Sequence, residues 1–84
     1  EFHFWITTGL KMYAESIAAR VYSELKDVNR SNYYITQFET EIPNQPRLYF
    51  AYSVAMLNNL SVAYKNIGNK LKALEFLSEY PKTP

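Results

Sequence analysis

The four prolines of this chain fall at positions 43, 46, 81 and 84, and its two glycines at 9 and 68. Proline breaks a helix interior and glycine weakens one. The stretches between these points are therefore open to long helices. Ile42-Pro43-Asn44-Gln45-Pro46 is the clearest break. A residue that precedes proline is pushed out of the helical region, whereas Pro46 suits the first turn of a new helix. The chain thus divides into two halves of similar length.

In the first half, apolar residues recur at Leu10, Tyr13, Ile17, Val21, Leu25 and Val28. Steps of three and four residues define a helical stripe. They predict a helix over about 5–28 with this stripe in the core. Ala14, Ala18 and Ala19 favour helix and permit a close partner. Gly9 marks either the start of regular helix or a close contact. Residues 27–32 read as a polar turn in which Asn29, Ser31 and Asn32 are capping types. A second helix is expected over about 32–41, with Tyr34, Ile35, Phe38 and Ile42 on one side. Tyr33-Tyr34-Ile35-Thr36 would also suit a strand, but an isolated strand has nothing to pair with.

In the second half, a third helix is expected from Pro46 to about residue 67. Its last turns carry Leu57, Leu60, Tyr64 and Ile67. Gly68-Asn69 ends it, because glycine takes the left-handed closing conformation readily. A fourth helix from Lys70 to about Tyr80 places Leu74, Leu77 and Tyr80 on one face beside Ala73, and Pro81 stops it. The expectation is all-α, with hairpin one over about 5–42 and hairpin two over about 46–80. Ala18, Ala19, Tyr22 and Leu25 fall about 42 residues before Leu60, Ser61, Tyr64 and Ile67. Periods of that order point to a helical solenoid.

Residues 57–77 resemble a tetratricopeptide repeat. Leu57 and Leu60 occupy the positions that pack between the two helices of such a repeat, and Ser61 the small position where they touch. Tyr64 stands where the first helix closes on the second, Gly68 at the turn, Ala73 at the crossing and Leu77 in the core. The Leu57-Asn58-Asn59-Leu60 opening is most similar to the longer repeats of about 42 residues in kinesin light chains and bacterial regulatory proteins. The N-terminal hairpin fits less closely, with Lys26 where glycine is usual and Ser31 where alanine is usual. Tyr80 replaces a small residue, and Pro81 shortens the final helix. The resemblance implies two antiparallel hairpins stacked as a solenoid fragment, part of a longer chain.

It also implies a protein- or peptide-binding groove lined by the first helix of each hairpin. Carried onto this chain, the groove set is Ala55, Asn58, Asn59, Val62, Lys65 and Asn66, with Ser16, Arg20 and Ser23 as counterparts in the first hairpin. Asparagine both donates to and accepts from a peptide backbone. Lys65 suits an acidic group, and the Arg20 fork suits a carboxylate better. The bland reading of these side chains is a solvated helix face. The aromatics Phe2, Phe4 and Trp5 read as packing rather than as a ligand box.

Composition narrows the alternatives. Nine Lys and Arg stand against eight Asp and Glu, for a net charge of +1. Nucleic-acid binders usually cluster a basic excess, so nucleic acid and anionic membrane are disfavoured, including single-stranded RNA as a minor alternative. The lack of cysteine excludes disulfides and thiolate metal sites and fits a reducing, cytoplasmic setting. No apolar run approaches the ~20 residues that span a bilayer. His3 is the single histidine, and no nucleophile motif or phosphate-cradling glycine loop is present. Glu39 and Glu41 read as solvent-facing carboxylates. Neither an enzyme nor a cofactor site is expected. A chain of 84 residues buries only ~60–65% of its unfolded surface. With 17% aromatic residues it also invites a neighbour, so self-association is the alternative to groove binding.

Overall fold

The computed structural model describes the backbone of residues 2–41 and 50–79 and the side chains of residues 9–41 and 54–75. Four helices make up these segments: α1 (Phe2–Glu24), α2 (Val28–Glu41), α3 (Phe50–Asn66) and α4 (Lys70–Glu79). The described residues contain no strand, so the Tyr-rich run of α2 is helical. α1 packs against both α2 and α3, and α3 packs against α4. The expected break around Pro43 and Pro46, and the end at Tyr80 and Pro81, lie outside the described residues. So do the side chains of Phe2, Phe4, Trp5 and Leu77.

The two connections are three residues long and share one design. The Lys26 amide donates to the Ser23 carbonyl at 3.2 Å and the Asp27 amide to the Tyr22 carbonyl at 2.9 Å. Forty-two residues later, the Gly68 amide donates to the Lys65 carbonyl at 3.1 Å and the Asn69 amide to the Tyr64 carbonyl at 2.7 Å. This pair of bonds is the Schellman closure of a helix, which requires a left-handed residue just past the end. Lys26 supplies it with φ 65° and Gly68 with φ 92°. The next residue then starts the following helix. Asp27 Oδ1 accepts the Arg30 amide at 3.2 Å, and Asn69 Oδ1 accepts the Lys72 amide at 3.2 Å. Each is an N-cap that satisfies an orphan donor of the first turn.

This geometry corrects the expected start of α2. The helix begins at Val28 rather than near residue 32, because Asp27 caps it and not Asn29, Ser31 or Asn32. Ser31 is instead buried at the crossing with α1, where its hydroxyl donates to the Ala19 carbonyl at 2.8 Å. At the equivalent crossing of α3 and α4, the small residues are Ser61 and Ala73, both buried. One serine and one alanine meet in each hairpin, on opposite helices.

The core gathers Met12 and Ala19 from α1, Ile35 and Phe38 from α2, Met56, Leu57, Leu60, Ala63 and Tyr64 from α3, and Ala73 from α4. Tyr13, Tyr34 and Ile67 pack at its edge. The expected α1 stripe is therefore corrected in large part. Leu10, Ile17, Val21, Leu25 and Val28 are exposed, at 41–66% of their full area. α1 touches two helices and buries Met12, Ser16, Ala19 and Ser23, three of them small. Its branched apolar residues Leu10, Ile17 and Val21 are left exposed, while Tyr13 packs at the core edge. Leu74 is likewise exposed, while Ala73 beside it is buried. Gly9 is not a helix start, because α1 runs through it, and among the described residues a Cβ there would meet nothing within 4 Å.

Three substitutions test this account by chemical denaturation. Gly68→Ala forces a Cβ into the left-handed region and should cost ~1–2 kcal/mol. Lys26→Gly relieves the same strain and should stabilise. Gly9→Ala, in an open helical position, should gain ~0.5–1 kcal/mol. Equal effects of alanine at 9 and 68 would refute the turn geometry.

Candidate functional site

The polar joint between α1 and α3 holds most of the residues that the sequence singled out. Two similar units lie seven residues apart along both helices. The Ser16 hydroxyl donates to the Tyr13 carbonyl at 2.7 Å and accepts Nδ2 of Asn59 at 3.3 Å. The Ser23 hydroxyl donates to the Arg20 carbonyl at 2.7 Å and accepts Nδ2 of Asn66 at 3.0 Å. Each serine satisfies itself on its own helix and still receives an amide from the next. The constant offset between Ser16–Asn59 and Ser23–Asn66 means that α1 and α3 run parallel. Between the two units, Arg20 Nη1 donates to Asn59 Oδ1 at 3.1 Å and Nε to Glu24 at 3.2 Å.

The helical period of 3.6 residues sorts the other candidates around α3. Asn59 and Asn66 face α1. Ala55 and Val62 lie next to them and are half-buried. Asn58 and Lys65 are exposed on the flank turned away from α1, at the positions that follow Ser16 and Ser23 by 42 residues. The structure therefore brings Arg20, Asn59 and Asn66 together and sets Asn58 and Lys65 apart from them. Ser16 and Ser23 are buried in the joint rather than lining an open groove. The signal for the joint was present as paired Ser-x6-Ser and Asn-x6-Asn spacings, which a search for single-helix stripes passes over.

Two further carboxylates have more specific places than a solvated face. Glu39 on α2 accepts a hydrogen bond from the Tyr64 hydroxyl on α3 and lies 3.7 Å from Lys72 Nζ on α4. It ties α2 to the second hairpin. Glu41 pairs with Lys11 at 3.3 Å and so joins the end of α2 to α1. At the other end of this antiparallel pair, the Tyr22 and Tyr34 rings stack at 5.8 Å, and the Arg30 guanidinium lies 5.6 Å from the Tyr22 ring centre.

Glu15 is the residue that sequence reasoning missed. It stands 42 residues before Leu57 and is buried as Leu57 is. Its Oε1 has no hydrogen-bond partner among the described residues. Burial raises its pKa above the ordinary 4.5, Lys11 draws it down, and Glu41 raises it again. A carboxyl inside the first hairpin thus fills a position that is leucine in the second.

Among the described residues, no three His, Asp or Glu side chains are grouped to hold a metal ion, and no helix is long and apolar enough to cross a membrane. Comparisons with family models, with curated proteins and with solved structures each give no match.

The raised Glu15 pKa has a defined sign in stability. As pH climbs past 4.5, the unfolded chain loses this proton first, while the folded chain retains it up to a higher pH. Stability from this group is complete below that value and falls as pH rises through the folded pKa. Glu15→Gln should leave stability nearly unchanged at pH 4 and raise it at pH 7, as read from paired denaturation curves. A gain that is the same at both pH values would remove burial as the cause.

Proposed function

We propose that this chain is a protein- or peptide-binding module built from tetratricopeptide-like hairpins, and that it takes its ligand along the α1–α3 pair on the side opposite α2 and α4. The observation that carries this reading is the repetition of the whole closing-and-capping network at an interval of 42 residues. One hairpin design used twice, with the first helices side by side and parallel, is the plan of a solenoid whose first helices line a binding face. The length of the interval agrees with the longer repeats that residues 57–77 resemble.

The ligand-facing groups would be Arg20, Asn59, Val62 and Asn66, with Asn58 and Lys65 at the outer edge. Arg20 is partly exposed and uses two of its five N–H groups within the chain. Its remaining donors suit a carboxylate of an acidic side chain or a peptide C-terminus. The Asn59 and Asn66 amides are held by Ser16 and Ser23, so their positions are set before a ligand arrives. Such preorganisation lowers the entropy lost on binding.

Selection from a displayed peptide library should yield an extended sequence with an acidic group. Its addition should shift the side-chain amide signals of Asn59 and Asn66 in nitrogen-15 NMR spectra. Arg20→Ala should weaken binding about tenfold or more, since a hydrogen bond to a charged group contributes ~1.5–3 kcal/mol. Enriched peptides that shift only α2 or α4 signals, or affinity indifferent to Arg20, would overturn the assignment.

A further inference from the structure

The repeat relation says what kind of surface belongs on the exposed stripe of α1. On α3, the line Met56, Asn59, Ala63 and Asn66 faces the first hairpin; Asn59 and Asn66 bond to α1, while Met56 and Ala63 are buried. The same line on α1, 42 residues earlier, is Ala14, Ile17, Val21 and Glu24, and all four residues are exposed. Leu10 extends it and is also exposed. The surface that α1 offers to α3 is Met12, Ser16, Arg20 and Ser23. Its counterpart on α3 is Val54, Asn58, Val62 and Lys65, of which Val54 is 56% exposed. Among the described residues, α1 and α3 therefore each carry a largely uncovered half of the same joint.

The two halves are complementary when the step from hairpin one to hairpin two is applied once more. Where Ser23 meets Asn66 within the chain, Lys65 would meet Glu24 of a second copy, a cation against an anion. Where Arg20 meets Asn59, Val62 would meet Ile17 of that copy, two apolar side chains. Val54, at the place of the buried Met12, would face Leu10 and Ala14. The internal joint is polar, whereas this one adds apolar pairs, with Asn58 beside Ile17 and with Lys65 meeting a Glu24 that Arg20 of its own chain also holds.

We propose that copies of this chain stack head to tail, with the Val54–Lys65 flank of α3 in one copy seated on the Leu10–Glu24 stripe of α1 in the next. Such an interface is heterologous, so each added copy presents a fresh half-joint and growth does not stop at a pair. Each stacking step also covers apolar surface that a two-hairpin unit leaves in water.

Sedimentation velocity on the full chain over a wide concentration range tests this. The average mass should rise with concentration and pass that of a dimer. Ile17→Asp blocks one half-joint and Val54→Asp the other. Both sites are exposed, and helical circular dichroism serves as the folding control. Each variant alone should be monomeric, and an equimolar mixture should form a one-to-one pair and nothing larger. Glu24→Lys should weaken stacking, and adding Lys65→Glu chains should restore it. A wild-type chain that stays monomeric at every concentration overturns the proposal. So does a symmetric dimer that stops at two, or association that neither aspartate reduces. Asn58, Val62 and Lys65 fall on both surfaces, so peptide capture is read at Arg20, Asn59 and Asn66, which the stacking joint does not use, and failure of one reading is distinguishable from failure of the other.

Discussion

The left-handed residue that closes each hairpin is the constraint on which the rest of the molecule depends. At Lys26 and at Gly68 the chain reverses within three residues, and one closure serves two helices. The amide of the following residue finishes the helix behind, while its side chain caps the helix ahead. This short reversal sets α2 directly on α1 and α4 directly on α3. It also fixes which residues meet, so that Ala19 lands opposite Ser31. Glycine carries no penalty in that conformation, whereas lysine does. The first hairpin keeps the geometry because its caps and crossing hold it there.

The second organising element is the size of the residues between helices. Serine and alanine at each crossing, and serine and asparagine in the α1–α3 joint, let backbones approach closely. Polar residues at such a joint need partners, and the joint supplies them: each buried serine hydroxyl both donates and accepts. An amide–hydroxyl pair tolerates little sliding, so it fixes register between helices in a way that apolar contacts do not. The two crossings are less alike. Ser31 has the Ala19 carbonyl, while the Ser61 hydroxyl is buried with no partner among the described residues.

The sequence made the helical hairpins legible through punctuation. Gly68-Asn69 announced the second turn, and the polar run at 27–32 the first. Lys26 displaced the reading of that first turn by a few residues, because a left-handed lysine carries no signature in sequence. The apolar stripe of α1 was visible but misassigned. Periodicity reveals that a helix has a face, and not whether the chain itself covers that face. In a repeat, a helix can carry one face for its own hairpin and another for a neighbour, and larger residues need not be the inner ones. Glu15 escaped notice for a related reason: a carboxylate between apolar positions reads as the wet side of a helix. Arg20, Asn59 and Asn66 were picked out as polar groups on one side of their helices. Their bonds to one another and to Ser16 and Ser23 depend on bringing together residues some forty positions apart, which no local pattern encodes.

The α1–α3 joint has a kinetic consequence. Within a hairpin, contacts join residues close in sequence, and a three-residue reversal needs little loop closure. The joint instead pairs side chains 43 residues apart, across a segment that must first be ordered. Folding rates follow such separations. The hairpins should therefore form early and independently, with the Ser16–Asn59 and Ser23–Asn66 bonds made late. A change in the joint would then act mainly on how fast the hairpins come apart, and a change in a turn on how fast each one forms.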